Sequence, residues 1–191
     1  MMTTFDTEKR RKIEGAVFLA LFCLTIPAAN WMIGHVGEVC LRDGPCLLPV
    51  APGLMAPSGV MMVGAALVLR DLVQRRLGPS FGVGAIVVGA AISAVLAPAA
   101  LVLASASAFL LSELADFAVY TPLARRRLVT AVAASSLVGL VVDSVVFLWL
   151  AFGSLDFLAG QVVGKLWMVL IAVPLVAYLR RRDERLGLSI A

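Results

Sequence analysis

Six apolar stretches, each close to the length of a bilayer-spanning helix, dominate the sequence. A helix that crosses the hydrocarbon core needs about 20 mostly apolar residues. The chain of 191 residues is 61% apolar and only 15% charged, whereas soluble domains average about 45–50% apolar and about 25% charged residues. These proportions predict an all-α, polytopic membrane protein and leave no room for a separate soluble catalytic domain.

The predicted spans are bounded by the Pro, Gly and charged residues that separate the apolar runs. They cover about 13–33, 54–69, 81–96, 100–120, 128–152 and 157–179. The chain then divides into a polar segment at 1–12, one six-helix transmembrane domain at 13–180 and a basic tail at 181–191. The first span is longer than the apolar core of a signal peptide, which has about 7–15 residues, so we expect it to stay in the membrane.

Basic residues indicate which side of the membrane each loop occupies. Lys and Arg collect in cytoplasmic loops, and fourteen of the sixteen here fall in four clusters, at 9–12, 70–76, 125–127 and 180–185. These clusters occur in alternate loops, so the pattern predicts six spans with the N- and C-termini both cytoplasmic. The net charge of +4 is then a topology signal. No nucleic acid partner is expected, and the inner membrane of a bacterium is the expected location.

The loop after the first span contains Gly, Pro and two cysteines. Gly and Pro favour turns over helix, so we expect an ordered loop outside the membrane. Cys40 and Cys46 lie in its CLRDGPC stretch, and an oxidising compartment permits a disulfide between them; two free thiols are the alternative. Three cysteines and one histidine are too few and too scattered for a zinc site. No metal and no cofactor is expected.

Ionisable residues inside the apolar spans point to function. Each costs about 2.5–3.5 kcal/mol at mid-membrane and normally faces a cavity or a partner. Residues three or four apart share one helix face, which arranges the polar and aromatic residues of the late spans in three stripes. These are Phe109, Glu113, Asp116 and Tyr120; Ser136, Gly139, Asp143 and Phe147; and Gln161, Lys165 and Met168. Three acids against one base predict a shared internal site; a salt-bridge network that only holds helices together is the alternative.

An enzyme is not expected. Ser58 lies in an Ala-Pro-Ser-Gly sequence that resembles part of an intramembrane serine protease motif. A nucleophilic serine needs a base within hydrogen-bond reach, and the sole histidine, His35, lies in a loop. Paired acids in neighbouring spans also occur in aspartyl intramembrane proteases, but no GxGD motif contains Asp143.

Four segments resemble the VUT family of six-span membrane proteins. They are APSGVMMVGAALVLRDLVQRRLG (56–78), ASASAFLLSELADFAVYTPL (104–123), SSLVGLVVDSVVFLWLAFG (135–153) and GQVVGKLWMVLIAVPL (160–175). The most specific pattern is the ordered set SExxD, SxxxxxxDS and QxxxK on three late spans. The resemblance extends over about 13–180 and implies a transporter of queuosine precursors, the 7-deazaguanine bases preQ0, preQ1 and queuine. The outer loop and the Arg70–Asp71 pair depart from the family pattern.

The resemblance also implies which residues bind the substrate. The family's polar core corresponds to Asn30, Glu113, Asp116, Asp143, Ser144, Gln161 and Lys165. A 7-deazaguanine has adjacent N–H donors that suit the carboxylate of Glu113 or Asp116, and a carbonyl that suits Lys165, Asn30 or Gln161. Its flat face suits stacking on aromatic residues such as Trp31 and Phe109. The implied mechanism is alternating access with an Asp143–Lys165 pair that changes geometry.

Two other functions fit the same composition. One is the substrate-binding S component of an energy-coupling-factor vitamin importer, which requires cytoplasmic partner subunits. The other is a structural membrane protein whose buried charges only join helices. In each case the lipid bilayer is a partner, and small residues on helix faces permit a homodimer.

Overall fold

A computed structural model describes residues 4–42, 44–97 and 99–186, and within them the chain forms six α-helices and one small sheet. The helices are α1 (Thr4–His35), α2 (Val60–Leu77), α3 (Pro79–Leu96), α4 (Val102–Ala124), α5 (Leu128–Phe152) and α6 (Leu158–Leu186). The strands β1 (Val39–Cys40), β2 (Cys46–Ala51) and β3 (Leu54–Pro57) lie between α1 and α2, and a short 3₁₀ helix, Ala99–Leu101, precedes α4. The predicted all-α polytopic architecture is confirmed.

Five of the six described helices are long and apolar enough to cross a membrane; α2 is the exception. Its hydropathy is reduced by four charged residues in its second half, Arg70, Asp71, Arg75 and Arg76. The prediction of a span at 128–152 agrees with α5 at both ends. The span predicted at 54–69 is wrong at its start, because residues 54–57 pair as β3, and its helix continues beyond 69 to Leu77, just before the Gly78–Pro79 pair.

The loop after α1 is ordered, as predicted, but it forms a sheet and not only turns. Its strands pair antiparallel in the order β1-β2-β3. Cys40 and Cys46 pair across β1 and β2 and form a disulfide, which decides between the two alternatives that the sequence allowed. Trp167 of α6 donates a hydrogen bond to the Val50 carbonyl at 3.0 Å, so the sheet is fixed to the helical bundle. Asp43 of this loop lies outside the described residues.

The opposite end of the bundle brings the two ends of the chain together. Arg182 of α6 donates to Glu14 of α1 at 2.6 Å, and Arg76 of α2 pairs with Glu14 at 2.9 Å. Asp183 accepts from Arg75 at 2.7 Å and from Arg76 at 2.9 Å. These five residues, called the terminal cluster below, join three helices. The first turns of α1 and the last turns of α6 therefore lie on one side, as the even number of predicted spans requires.

The terminal cluster corrects the sequence-based description of the basic residues. Arg75 and Arg76 were predicted to lie in a cytoplasmic loop, but both are buried within α2. α1 begins at Thr4 and α6 ends at Leu186, so both helices extend into the segments expected to be polar. Residues 1–3 and 187–191 of those segments lie outside the described residues.

Candidate functional site

A cavity of about 80 Å³ lies inside the bundle near the sheet. Its polar lining comes from Thr25 and Asn30 of α1, Ser93 of α3, Ser105 of α4, Asp143 of α5, and Gln161 and Lys165 of α6. Phe109 and Phe147 contribute aromatic faces, and most of the remaining lining is aliphatic. Pockets for drug-sized ligands measure about 300–1,000 Å³, so in this conformation the cavity suits one small, compact solute.

Lys165 organises the polar wall of this cavity. Its ammonium group is buried and donates to Asp143 Oδ2 at 2.6 Å, to Ser144 Oγ at 2.8 Å and to Gln161 Oε1 at 2.5 Å. An ammonium group has three N–H donors and no acceptor, so these contacts use all of its hydrogen bonds. The expected Asp143–Lys165 pair is therefore present, and Lys165 keeps no donor for a ligand.

The contacts of Lys165 decide which atoms its neighbours present to the cavity. Because the Gln161 oxygen faces an obligate donor, its NH₂ group is the part left for a ligand. Asp143 keeps Oδ1 as an acceptor. Within the described residues, neither Asp143 Oδ1 nor the Gln161 side-chain nitrogen has a hydrogen bond. Asn30 Nδ2 donates to the Ile26 carbonyl at 2.9 Å, which leaves the Asn30 side-chain oxygen as a further acceptor. The wall thus offers an N–H donor beside a carboxylate acceptor.

Glu113 and Asp116 lie one layer further from the sheet, around a buried arginine. Arg70 Nε donates to Glu113 Oε2 at 3.0 Å, and Arg70 Nη2 contacts both Asp71 Oδ1, at 3.0 Å, and Asp116 Oδ1. The four residues are called the Arg70 cluster, and each is at most 1% exposed. Glu113 lies one helical turn from Phe109, so the cluster is adjacent to the cavity but is not part of its lining.

Polar and aromatic neighbours complete the surroundings of the Arg70 cluster. Arg70 Nη1 donates to Gln74 Oε1 at 2.9 Å, and Ser135 of α5 donates to Asp71 Oδ2 at 3.0 Å. The rings of Phe117 and Tyr120 lie 5.7 and 5.6 Å from the guanidinium carbon, within cation–π range. α2, α4 and α5 therefore meet at this one arginine.

The structure brings together most of the residues predicted for the site. Asn30, Phe109, Asp143, Gln161 and Lys165 line the cavity, and Ser144 contacts Lys165 behind them. Glu113 and Asp116 belong to the Arg70 cluster instead. Trp31 is 58% exposed, and its ring stacks on His35 with centroids 5.2 Å apart, outside the cavity.

Arg70 is the buried charge that sequence reasoning missed. It was assigned with Arg75 and Arg76 to a cytoplasmic boundary, so the count of three acids against one base omitted Arg70 and Asp71. A signal was available: no turn residue separates Arg70 from the apolar run before it, and the helix continues to the Gly78–Pro79 pair. The serine of the protease-like motif and the sole histidine bond to different backbone carbonyls. Ser58 donates to the Met32 carbonyl at 2.6 Å, and His35 bonds to the Trp31 carbonyl at 2.8 Å.

A bundle of apolar helices that encloses a small cavity and several buried charges is the architecture of a multi-pass membrane protein. The chain matches the family model described as "Putative vitamin uptake transporter" over residues 59–179. The matched range covers more than half of the chain and includes both the Arg70 cluster and the Asp143–Lys165 wall. The chain belongs to this family, the VUT family. No curated protein and no solved structure matches the chain.

Proposed function

We propose that the protein imports queuosine precursors, 7-deazaguanine bases such as preQ0, preQ1 or queuine, across the cytoplasmic membrane. The observation that carries this proposal is the pair of groups that Lys165 holds in the cavity, the Gln161 NH₂ donor and the Asp143 Oδ1 acceptor. The protein carries the base across the membrane without changing it chemically. Its partners are the base and the lipid bilayer.

The hydrogen-bonding edge of a 7-deazaguanine complements this pair. The base presents a carbonyl oxygen next to an N–H group and an exocyclic amine. Gln161 donates to the carbonyl, and Asp143 accepts from the adjacent N–H groups. Phe109 and Phe147 supply faces for the flat ring, and Asn30 offers a further acceptor. Buried polar groups left unpaired cost about 1–3 kcal/mol each, so a base without this edge is rejected.

This assignment moves the substrate acceptor from Glu113 and Asp116 to Asp143. Both of the former carboxylates contact Arg70, whereas Asp143 Oδ1 remains unbonded at the cavity. Lys165 then acts as a positioning residue, since it holds Asp143 and Gln161 but has no free donor of its own.

Alternating access provides the transport cycle. The terminal cluster closes the end of the bundle at which α1, α2 and α6 meet, and the cavity lies toward the sheet. Release on the cytoplasmic side requires the three helices to separate at the terminal cluster. The Asp143–Lys165 pair joins α5 to α6 and changes geometry when these helices move.

A thermal-unfolding screen of the purified protein in detergent tests this function. The compounds are preQ0, preQ1, queuine, guanine, adenine and several vitamins. A ligand present at about 100 times its Kd stabilises the folded protein by about 2.7 kcal/mol, which corresponds to a rise in Tm of about 5–10 °C for a chain of this length. We expect that rise with the 7-deazaguanines and none with adenine, which lacks the carbonyl.

The family description favours a second candidate, the S component of an energy-coupling-factor vitamin importer. That function predicts a rise in Tm with a vitamin and copurification of cytoplasmic ATPase subunits. A screen in which no compound raises the Tm would favour a structural role, in which the buried charges only join helices.

A further inference from the structure

The Arg70 cluster contains more negative than positive charge. One guanidinium faces three carboxylates, and all four side chains are at least 98% buried. Neighbouring ionisable groups on α5 and α6 do not correct this, because Asp143 is neutralised by Lys165. An unpaired charge in a low-dielectric interior costs several kcal/mol. The cluster therefore requires additional positive charge.

Asp71 and Asp116 form the closest carboxyl pair in the cluster. Both contact the same nitrogen, Arg70 Nη2, whereas Glu113 contacts Nε. The Oδ1 atoms of both aspartates lie against this one nitrogen, which places the two carboxyl groups side by side. Two carboxylates that share one site do not both ionise readily, so one proton between them relieves the repulsion and supplies a donor.

Unpartnered polar groups surround this pair. Asp116 Oδ2 has no hydrogen bond and is fully buried, and it lies 3.3 Å from the position of a β-carbon at Gly139 of α5. Tyr120 is 1% exposed, and its hydroxyl has no partner among the described residues, although its ring lies over Arg70. Buried polar atoms without a protein partner are rare, so the free carboxyl oxygen is an acceptor for a proton held within the cluster.

We propose that Asp71 and Asp116 bind one proton between them, at a site separate from the substrate cavity. Glu113 accepts from Arg70 Nε, away from this pair, and Ser135 donates to Asp71 from α5. Arg75, one turn after Asp71 on α2, is the next cation along the helix; it pairs with Asp183, and its buried Nη1 has no partner in the described structure. The proton site does not depend on which solute the cavity binds.

The position of this site couples it to the cavity. Asp116 and Glu113 belong to the same helix as Phe109, which lines the cavity one turn before Glu113. Loss of the shared proton leaves two adjacent carboxylates on Arg70. Their repulsion pushes α2 away from α4. A proton here therefore favours the packed arrangement of α2, α4 and α5.

Infrared spectroscopy of the purified protein in lipid detects the proton directly, through the C=O stretch of a protonated carboxyl group. At pH 7 an ordinary Asp is ionised in all but about one molecule in a thousand. We expect a protonated-carboxyl band at pH 7 that is lost in Asp71→Asn and in Asp116→Asn. Asp156→Asn removes an exposed aspartate and is the matched control, in which the band stays unchanged.

A further variant keeps the test valid if the asparagine variants do not fold. Ser135→Ala removes the hydroxyl that bonds Asp71 Oδ2 without removing a carboxyl group, and it is expected to shift the frequency of the band. Absence of the band in the wild type overturns the proposal. So does a band that keeps its intensity in both Asp71→Asn and Asp116→Asn, or one that Ser135→Ala leaves unmoved.

Discussion

Replacing Lys165 with methionine should destabilise the protein strongly, and a second substitution at Asp143 should restore much of the loss. Lys165→Met keeps the length of the side chain but removes the three hydrogen bonds to Asp143, Ser144 and Gln161. Ser144 remains bonded to the Leu140 carbonyl at 2.6 Å. The main cost is the buried Asp143 carboxylate, which loses its only cation. Removal of one partner from a buried pair costs about 3–5 kcal/mol.

The magnitude is large enough for thermal unfolding in detergent to measure. For a chain of about 150–250 residues, 1 kcal/mol shifts the Tm by about 2–4 °C, so Lys165→Met lowers it by about 6–20 °C. The double variant Lys165→Met/Asp143→Leu replaces the pair with apolar side chains, a change that is often neutral or stabilising. It should therefore recover most of the Tm.

The double-mutant cycle gives the coupling between the two residues, and ligand titration of the recovered variant separates stability from binding. We expect it to fold but to show no rise in Tm with a 7-deazaguanine. A double variant no more stable than Lys165→Met would refute the description of Asp143 as a buried carboxylate held by Lys165. So would a Lys165→Met protein that unfolds at the wild-type temperature.

Three further predictions concern the cavity, the sheet and the topology. Gly89→Ala should abolish uptake of the base, because its new β-carbon would lie 2.5 Å from Phe109 Cζ at the cavity. The β-carbon of Gly84→Ala has no atom within 4 Å, so this variant should transport normally. Equal uptake by the two variants would contradict the cavity assignment. Reduction of the Cys40–Cys46 disulfide should lower stability by about 2 kcal/mol through the entropy of a short loop, measured as a fall in Tm with reductant that a Cys40→Ser/Cys46→Ser variant does not show. A reporter fused to the C-terminus should be active in the cytoplasm, together with one at the N-terminus, because Glu14 and Arg182 hold the two chain ends on one side; a C-terminal reporter on the outer face would exclude this topology.

Apolar periodicity predicted the helices well where nothing interrupts a long run. α5 begins and ends at the predicted residues, since Arg127 and Gly153 flank an apolar stretch. The second span failed at its start because hydropathy alone treats Leu54–Pro57 as part of a helix. In the structure, pairing with β2 makes the first segment a strand, and tertiary ion pairs allow the helix to continue past Arg70 for another two turns.

The same physics explains how much of the candidate site the sequence could reveal. Spacing along one helix places Gln161 and Lys165 on a common face, and an ammonium in an apolar span needs a carboxylate, so the Asp143–Lys165 pair was predictable. The packing of α2 against α4 decides which acids meet Arg70. Arg70 and Glu113, for example, are 43 residues apart in the chain. Spacing within one helix contains no information about that contact. Trp31 was included for its stacking chemistry, but it lies on the outer surface of α1, beyond the cavity.

Uptake of a labelled 7-deazaguanine base into proteoliposomes tests the central claim most directly. The comparison is between the wild type, Gln161→Met, and Leu170→Met on the exposed face of the same helix. Loss of the Gln161 donor leaves the ligand carbonyl unpaired at a cost of about 1–3 kcal/mol, or about 5- to 150-fold in affinity. The account predicts uptake by the wild type and Leu170→Met and a loss of that size in Gln161→Met. Wild-type uptake no greater than that of empty vesicles, or equal uptake by Gln161→Met, would contradict it.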